Sequence, residues 1–132
     1  MAQFKIYGHR TFLEANATGI SDAIHEASVS ALGLPEEKRF HRFLPLEEWQ
    51  FIAPVDRSER YLIVEVTMFE GRPLETKKAF YAAVIANLQG SCEISAQDIE
   101  LTIIESPRHD WLIRGKPADE LTLDYDVNHR VE

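Results

Sequence analysis

Residues 60–73 read RYLIVEVTMFEGRP, and this stretch decides the fold. Leu62, Val64, Val66 and Met68 alternate with Tyr61, Ile63, Glu65 and Thr67, the two-residue period of a strand. Apolar residues fall on both sides, which predicts a central strand covered on both faces for part of its length. Gly71 breaks it, and Pro73 suits the first turn of a helix, where its missing N–H is not needed. The helix that follows, Pro73–Leu88, presents Tyr81, Val84, Ile85 and Leu88 as its inward stripe, with Gly90 as the stop. Ile99–Glu105 then alternates again, with Ile99, Leu101 and Ile103 on one face.

The same order precedes this segment. Gln3–Tyr7 reads as a strand with Phe4 and Ile6 on one side, Thr11–Leu32 as a long helix, and Arg39–Leu44 as a second strand, at an edge. Thr11 and Glu14 have the spacing of a capping box. Ile20, Ile24, Ala27 and Ala31 make one helix face, Gly19 marks close packing against the sheet, and Gly33 with Pro35 ends the helix. Both helices leave by the same route: Leu34-Pro35 and Ile94-Ser95 each open a short polar stretch that leads into a strand. The expected class is α+β, with two β-α-β repeats forming a four-stranded sheet and two helices on one face. The repeats cover about residues 1–45 and 60–105 of one domain spanning 1–132. Pro45–Glu59, with Trp49, Phe51 and Ile52, reads as a packed connector with room for a short extra strand. The tail, 106–132, carries Trp111, Leu112, Ile113, Leu121, Leu123, Tyr125 and Val127, which need a surface to cover: the chain's own or a neighbouring subunit's.

A sheet with helices on one side leaves the other open. Tyr61, Ile63 and Ile104, or the opposite set if the facing is reversed, are expected there, and burial between copies of the chain is the simplest cover. Composition narrows the partners. With 14 basic and 22 acidic residues the formal net charge is −8, which disfavours nucleic acid and anionic membranes. No apolar run reaches the length of a bilayer span and no leader-like segment opens the chain, so a cytoplasmic protein is expected. The lone cysteine, Cys92, reads as a packed thiol. The five histidines show no paired ligand spacing and no glycine-rich phosphate loop occurs, so neither metal nor cofactor is expected.

Cations supply the candidate site. Arg72 lies between a strand end and a helix N-terminus, where a carboxylate would meet a guanidinium fork and helix-end amides; a turn arginine paired with Glu70 or Glu75 is the alternative. Arg39 near His41 and Arg42, and Arg57 beside Asp56, are further cations for a pocket, or charges on an exposed edge. In Arg108-His109-Asp110-Trp111, followed by Arg114, the indole of Trp111 is a pocket wall or a tail anchor, and Arg114 an anion grip. His25 is expected at a packing margin.

Asp22-Ala23-Ile24-His25-Glu26-Ala27, Leu32-Gly33-Leu34-Pro35, Gly71-Arg72, Glu75-Thr76-Lys77-Lys78 and Asp98-Ile99-Glu100-Leu101, leading to Glu105 and Trp111, together resemble the tautomerase superfamily, and its longer, malonate semialdehyde decarboxylase-like members most. The resemblance implies a homotrimer in which three sheets meet, and chemistry carried by an N-terminal proline amine exposed when a preceding methionine is removed. Ala2 stands at that position here. It would offer a primary amine in a chain without Met1, whose removal a small second residue favours. An aspartate of the decarboxylase-like members is replaced by Lys38, and a second family arginine, two residues before Arg72, by Glu70. Arg72 itself matches a family arginine that binds substrate carboxylate. The resemblance implies an isomerase or tautomerase acting on a small 2-oxo or enol carboxylic acid, with atypical or lost catalysis. The alternatives are a non-catalytic trimer that binds a ligand or a protein, and a ferredoxin-like regulatory domain with the same element order.

Overall fold

The computed structural model describes residues 1–122. The elements are β1 (Ala2–His9), α1 (Arg10–Leu32), β2 (His41–Leu46), β3 (Leu62–Phe69), α2 (Leu74–Cys92), β4 (Ile99–Ser106) and a small hairpin of β5 (Leu112–Ile113) and β6 (Lys116–Pro117). The main sheet runs β2-β1-β3-β4. β1 pairs parallel with β2, and β3 parallel with β4, while β1 and β3 run antiparallel down the centre, with Ala2 opposite Met68 and Gly8 opposite Leu62. Each β-α-β unit therefore keeps its own strands side by side. A ferredoxin-like split unit has another strand between them, so that alternative is excluded.

Both helices cover one face. Beneath them lie Phe4 and Ile6 of β1 and Leu62, Val64, Val66 and Met68 of β3, against Ile20, Ala23, Ile24 and Ala27 of α1. The expected α1 stripe is buried throughout. On α2 the buried positions are Thr76, Phe80, Val84, Leu88 and Cys92, so Phe80 takes the inward place expected of Tyr81 and Ile85. Asn87 ties the helices, donating to the Ala23 carbonyl at 3.1 Å. Gly8 lets α1 turn back tightly onto β1: a Cβ there would stand 2.9 Å from Leu13 Cγ.

Several local expectations are corrected. α1 begins at Arg10 behind His9, which makes no side-chain cap, so Thr11 and Glu14 form no capping box. α2 runs past Gly90 to Cys92 and ends on Glu93, held in the left-handed region at φ 56°. Gly19 faces Cys92 Sγ of α2, not the sheet. The connector forms a 3-10 turn, Glu48–Gln50, in place of an extra strand. Its Phe51 stacks on Tyr61 with ring centroids 5.1 Å apart, which buries the tyrosine expected in the open. The open sheet face is more polar than expected. Ile104 is 45% exposed there, but Tyr7 of β1 donates to Glu65 of β3 at 2.6 Å. That bond raises the Tyr7 pKa, with burial and the carboxylate's charge adding to it. Through Leu121 the tail folds onto its own chain; Leu123, Tyr125 and Val127 lie outside the described residues. No helix among the described residues is long and apolar enough to cross a membrane.

Candidate functional site

The antiparallel pairing of β1 with β3 brings the start of the chain, the end of β3, the end of β4 and the tail to one end of the sheet. Ala2 is 3% exposed in the main core. Beside it a second cluster forms, with Phe69, Ile113 and Ala118 at its centre and Met1, Trp111 and Leu121 packed against it. Trp111 meets Phe69 edge-on, centroids 5.2 Å apart, and donates its indole N–H to Ser106 Oγ at 2.7 Å. Arg108 pins the tail: one nitrogen, Nη2, donates to the Ala118 and Leu121 carbonyls at 2.9 and 2.7 Å, and its guanidinium lies 6.0 Å from the Phe69 ring centre. Its Nε is buried without a hydrogen-bond partner among the described residues. Lys77 of α2 pairs with Glu105 at 2.6 Å on the same end.

Arg72 belongs to this end too. It is 5% exposed, so it is not the solvated turn residue of the alternative reading. Nε and Nη2 each donate to the Leu32 carbonyl at 3.3 Å, and Nη1 approaches Met68 Sδ, opposite Ala2, at 3.9 Å. The contact has a counterpart in the other half, where Arg60 donates to the Cys92 carbonyl at 3.1 Å. Leu32 and Cys92 are the last residues of α1 and α2, whose terminal carbonyls lack partners within the helix. Each arginine therefore caps one helix, from opposite ends of β3.

Arg39 and Arg57 are not gathered with Ala2 within one chain. Arg39 lies beside the edge strand β2 and turns to α1, pairing with Asp22 at 2.6 Å. Arg57 lies at the far end of the sheet, roughly 20 Å away by the rise of an eight-residue strand. It pairs with Glu100 at 2.9 Å and Asp56 at 2.5 Å, while its guanidinium faces the Tyr61 ring. Hydrogen bonding to Arg57, then to Tyr61, holds the Glu100 carboxyl below its usual range. Arg114 is exposed in the β5–β6 turn at φ 51°. Trp111 packs in the cluster beside Ala2, and Arg114 follows Ile113 of that cluster with its own side chain exposed.

Two features lie away from it. A groove of about 1020 Å³ opens at the far end, lined by His9, Arg10, Phe51, Val55 and Arg57 among others. Its arginines are already paired, Arg10 with Glu47 and Glu14, so size alone does not make it the reactive site. Between α1 and β2, His41 Nδ1 shares a 2.7 Å hydrogen bond with Ser21 Oγ, and His25 Nε2 donates to the Glu36 carbonyl at 2.6 Å. His25 is 4% exposed, well inside the margin expected of it. Burial, then the nearby charges of His25 and Arg39, lowers the His41 pKa to about 4, so the ring is neutral and weakly basic near pH 7. Burial also raises the Cys92 thiol pKa, which leaves it a poor nucleophile. No group of three or more histidine, cysteine or carboxylate side chains among the described residues could hold a metal.

The sequence gives the side chains of Met1 and Arg108 no role; the strand pairing and the tail's path bring both to Phe69.

A family profile described as tautomerase enzyme matches residues 38–114. Among solved structures, the chain is similar to a malonate semialdehyde decarboxylase studied in wild-type, mutant and inactivated forms, at 22% identity over 87% of this chain and 93% of that one, TM-score 0.79. It is similar to a malonate semialdehyde decarboxylase inhibited by 3-bromopropiolate, at 27% identity over 83% of this chain and 87% of that one, TM-score 0.76. It is also similar to native fused 4-OT, at 20% identity over 90% and 98%, TM-score 0.77; fused 4-OT structures include asymmetric and symmetric trimers.

Proposed function

The chain belongs to the tautomerase family, and from that premise we propose that it binds a small 2-oxo or enol carboxylic acid at the Ala2 end of the sheet. In a chain that begins at Ala2, it interconverts the keto and enol forms. The α-amine of such a chain titrates near 7.7–8.0 when unperturbed. Its neutral fraction takes the enol hydroxyl proton, and the ammonium so formed delivers a proton to carbon, which balances as an isomerisation. Where Met1 is present, the Ala2 nitrogen is a peptide amide and has no basic lone pair. Arg72 holds the carboxylate from the side of Met68, and Trp111 walls the site. We place Arg39, Arg57 and Arg114 as contributions from neighbouring copies in a homotrimer, and the protein in the cytoplasm as a single domain. The trimers of fused 4-OT support that assembly.

The observation that carries this reading is the meeting of Ala2, Arg72 and Trp111 at one end of the sheet. The test is ketonisation of an enolpyruvate derivative by the chain beginning at Ala2. Arg72→Lys, which keeps the charge but loses the fork, should lower kcat/KM at least tenfold; an unchanged rate removes Arg72 from the site.

A second reading, a non-catalytic trimer that binds a ligand or a protein partner, is favoured by the burial of Arg72 against the α1 terminus. Borohydride trapping with an oxo acid separates the two. A reactive amine leaves an adduct seen by mass, whereas no adduct and no turnover across several oxo acids support binding alone.

A further inference from the structure

Met1 packs against Phe69, Ile113 and Ala118, in the same cluster as Trp111 and Leu121, next to the Ala2 nitrogen. A methionine side chain is an unbranched run of four heavy atoms, and the buried residues it packs against come from two separate segments, the end of β3 and the tail. The cluster is thus a cage already shaped for a short straight chain. It adjoins a cation with an unanswered donor, since Arg108 Nε is buried without a hydrogen-bond partner among the described residues. A buried donor left in that condition has lost water without gaining an acceptor, and a ligand oxygen would supply one. Apolar walls with an unanswered guanidinium N–H beside them fit an acid that carries a short apolar chain.

We propose that the Met1 side chain occupies the cage in which this protein binds an unbranched carboxylic acid of about six carbons. A chain retaining Met1 is then closed to that acid, and a chain without the side chain is open to it. The proposal rests on the reading of the Ala2 end as the binding site and adds the substrate's shape and a built-in block. In 2-oxohexanoate, the four carbons beyond the carbonyl match the four heavy atoms of the methionine side chain. Pyruvate has one carbon there and leaves most of the cage unfilled.

The test uses three proteins released from a cleavable N-terminal fusion: the chain with Met1, the chain beginning at Ala2, and the full-length chain with Met1→Gly. All carry Trp49→Phe, because Trp49 is 76% exposed and Trp111 is the other tryptophan, so quenching reports on the cage. Both emptied proteins should bind 2-oxohexanoate roughly ten to a hundred times tighter than pyruvate. The Met1 chain should bind 2-oxohexanoate at least tenfold more weakly than they do. The glycine variant separates the cage from the amine, because it empties the space while keeping the Ala2 nitrogen in a peptide bond. It also keeps the test decisive should the shortened chain fail to fold. Equal affinity for the two acids, or equal binding with and without the Met1 side chain, overturns the proposal. Ketonisation by the Ala2 chain with no chain-length preference defeats the cage and leaves the proposed function standing. Absence of binding for any oxo acid, with no ketonisation, defeats both.

Discussion

Arg72 reaches from the turn after β3 to the last carbonyl of α1, placing Nε and Nη2 each 3.3 Å from the Leu32 oxygen, as Arg60 reaches the last carbonyl of α2 at Cys92. The two halves thus share a capping device as well as an order of elements. The environments differ, since Arg72 is buried and Arg60 half-buried. Removing Arg72 leaves a buried carbonyl without its cation and opens a cavity. Arg72→Ala should cost about 2–4 kcal/mol, and Arg60→Ala about 0.5–1.5 kcal/mol. Urea unfolding of both variants measures the difference, and equal losses would contradict the buried capping role.

His41 makes stability depend on pH. Its folded pKa of about 4 lies below the ordinary 6.5, because burial, His25 and Arg39 disfavour the charged ring while Asp22 opposes them only weakly. Between those values the unfolded chain binds a proton that the folded chain does not, so stability rises with pH across this window and falls as pH drops from 6.5 toward 4. Solvent screening of the half-buried ring keeps the effect at roughly 1–3 kcal/mol. His41→Asn should flatten this part of a stability–pH curve measured by thermal unfolding.

Gly8 is required by space. A methyl group there would press on Leu13 and Leu62, both fully buried. Gly8→Ala should destabilise by about 1–3 kcal/mol, since neither side chain can retreat without disturbing the core. A Gly8→Ala, Leu13→Ala pair should lose less than the sum of its members in denaturant melts.

Trp111 holds the tail through its ring contact with Phe69 and its bond to Ser106. Trp111→Phe keeps an aromatic ring and removes the donor, and should cost about 0.5–1.5 kcal/mol. Trp111→Ala should release the hairpin: amide exchange in residues 106–121 should accelerate at least tenfold while β1 and β3 stay protected.

The architecture was legible because it follows from periodicity. Alternation in Leu62–Met68, the Ile20–Ala31 stripe, and Gly33 and Pro35 at a helix end are local signals that the packing agrees with. The α2 stripe does not single out Phe80, because it and Tyr81 are adjacent and both apolar enough for the core, and only contact with β1 chooses between them; Phe4 and Phe80 meet edge-on at 6.4 Å. The site was legible only in part. Trp111 could be picked out as the large aromatic of a polar stretch. Asp22, which pairs with Arg39, and Glu100, which pairs with Arg57, lie 17 and 43 residues away in the chain, so those pairings are hidden in the sequence, whereas Asp56 stands next to Arg57. Arg72's burial depends on where α1 ends, and Met1 packs against a buried cluster only because the tail folds back beside it.

The most direct test of this account compares ketonisation of an enolpyruvate derivative by the chain beginning at Ala2 and by the chain retaining Met1. A free amine at the end of β1 predicts a rate above the buffer background for the first and background alone for the second. Equal rates for the two, whether both catalysed or both at background, would contradict the role given to the Ala2 amine.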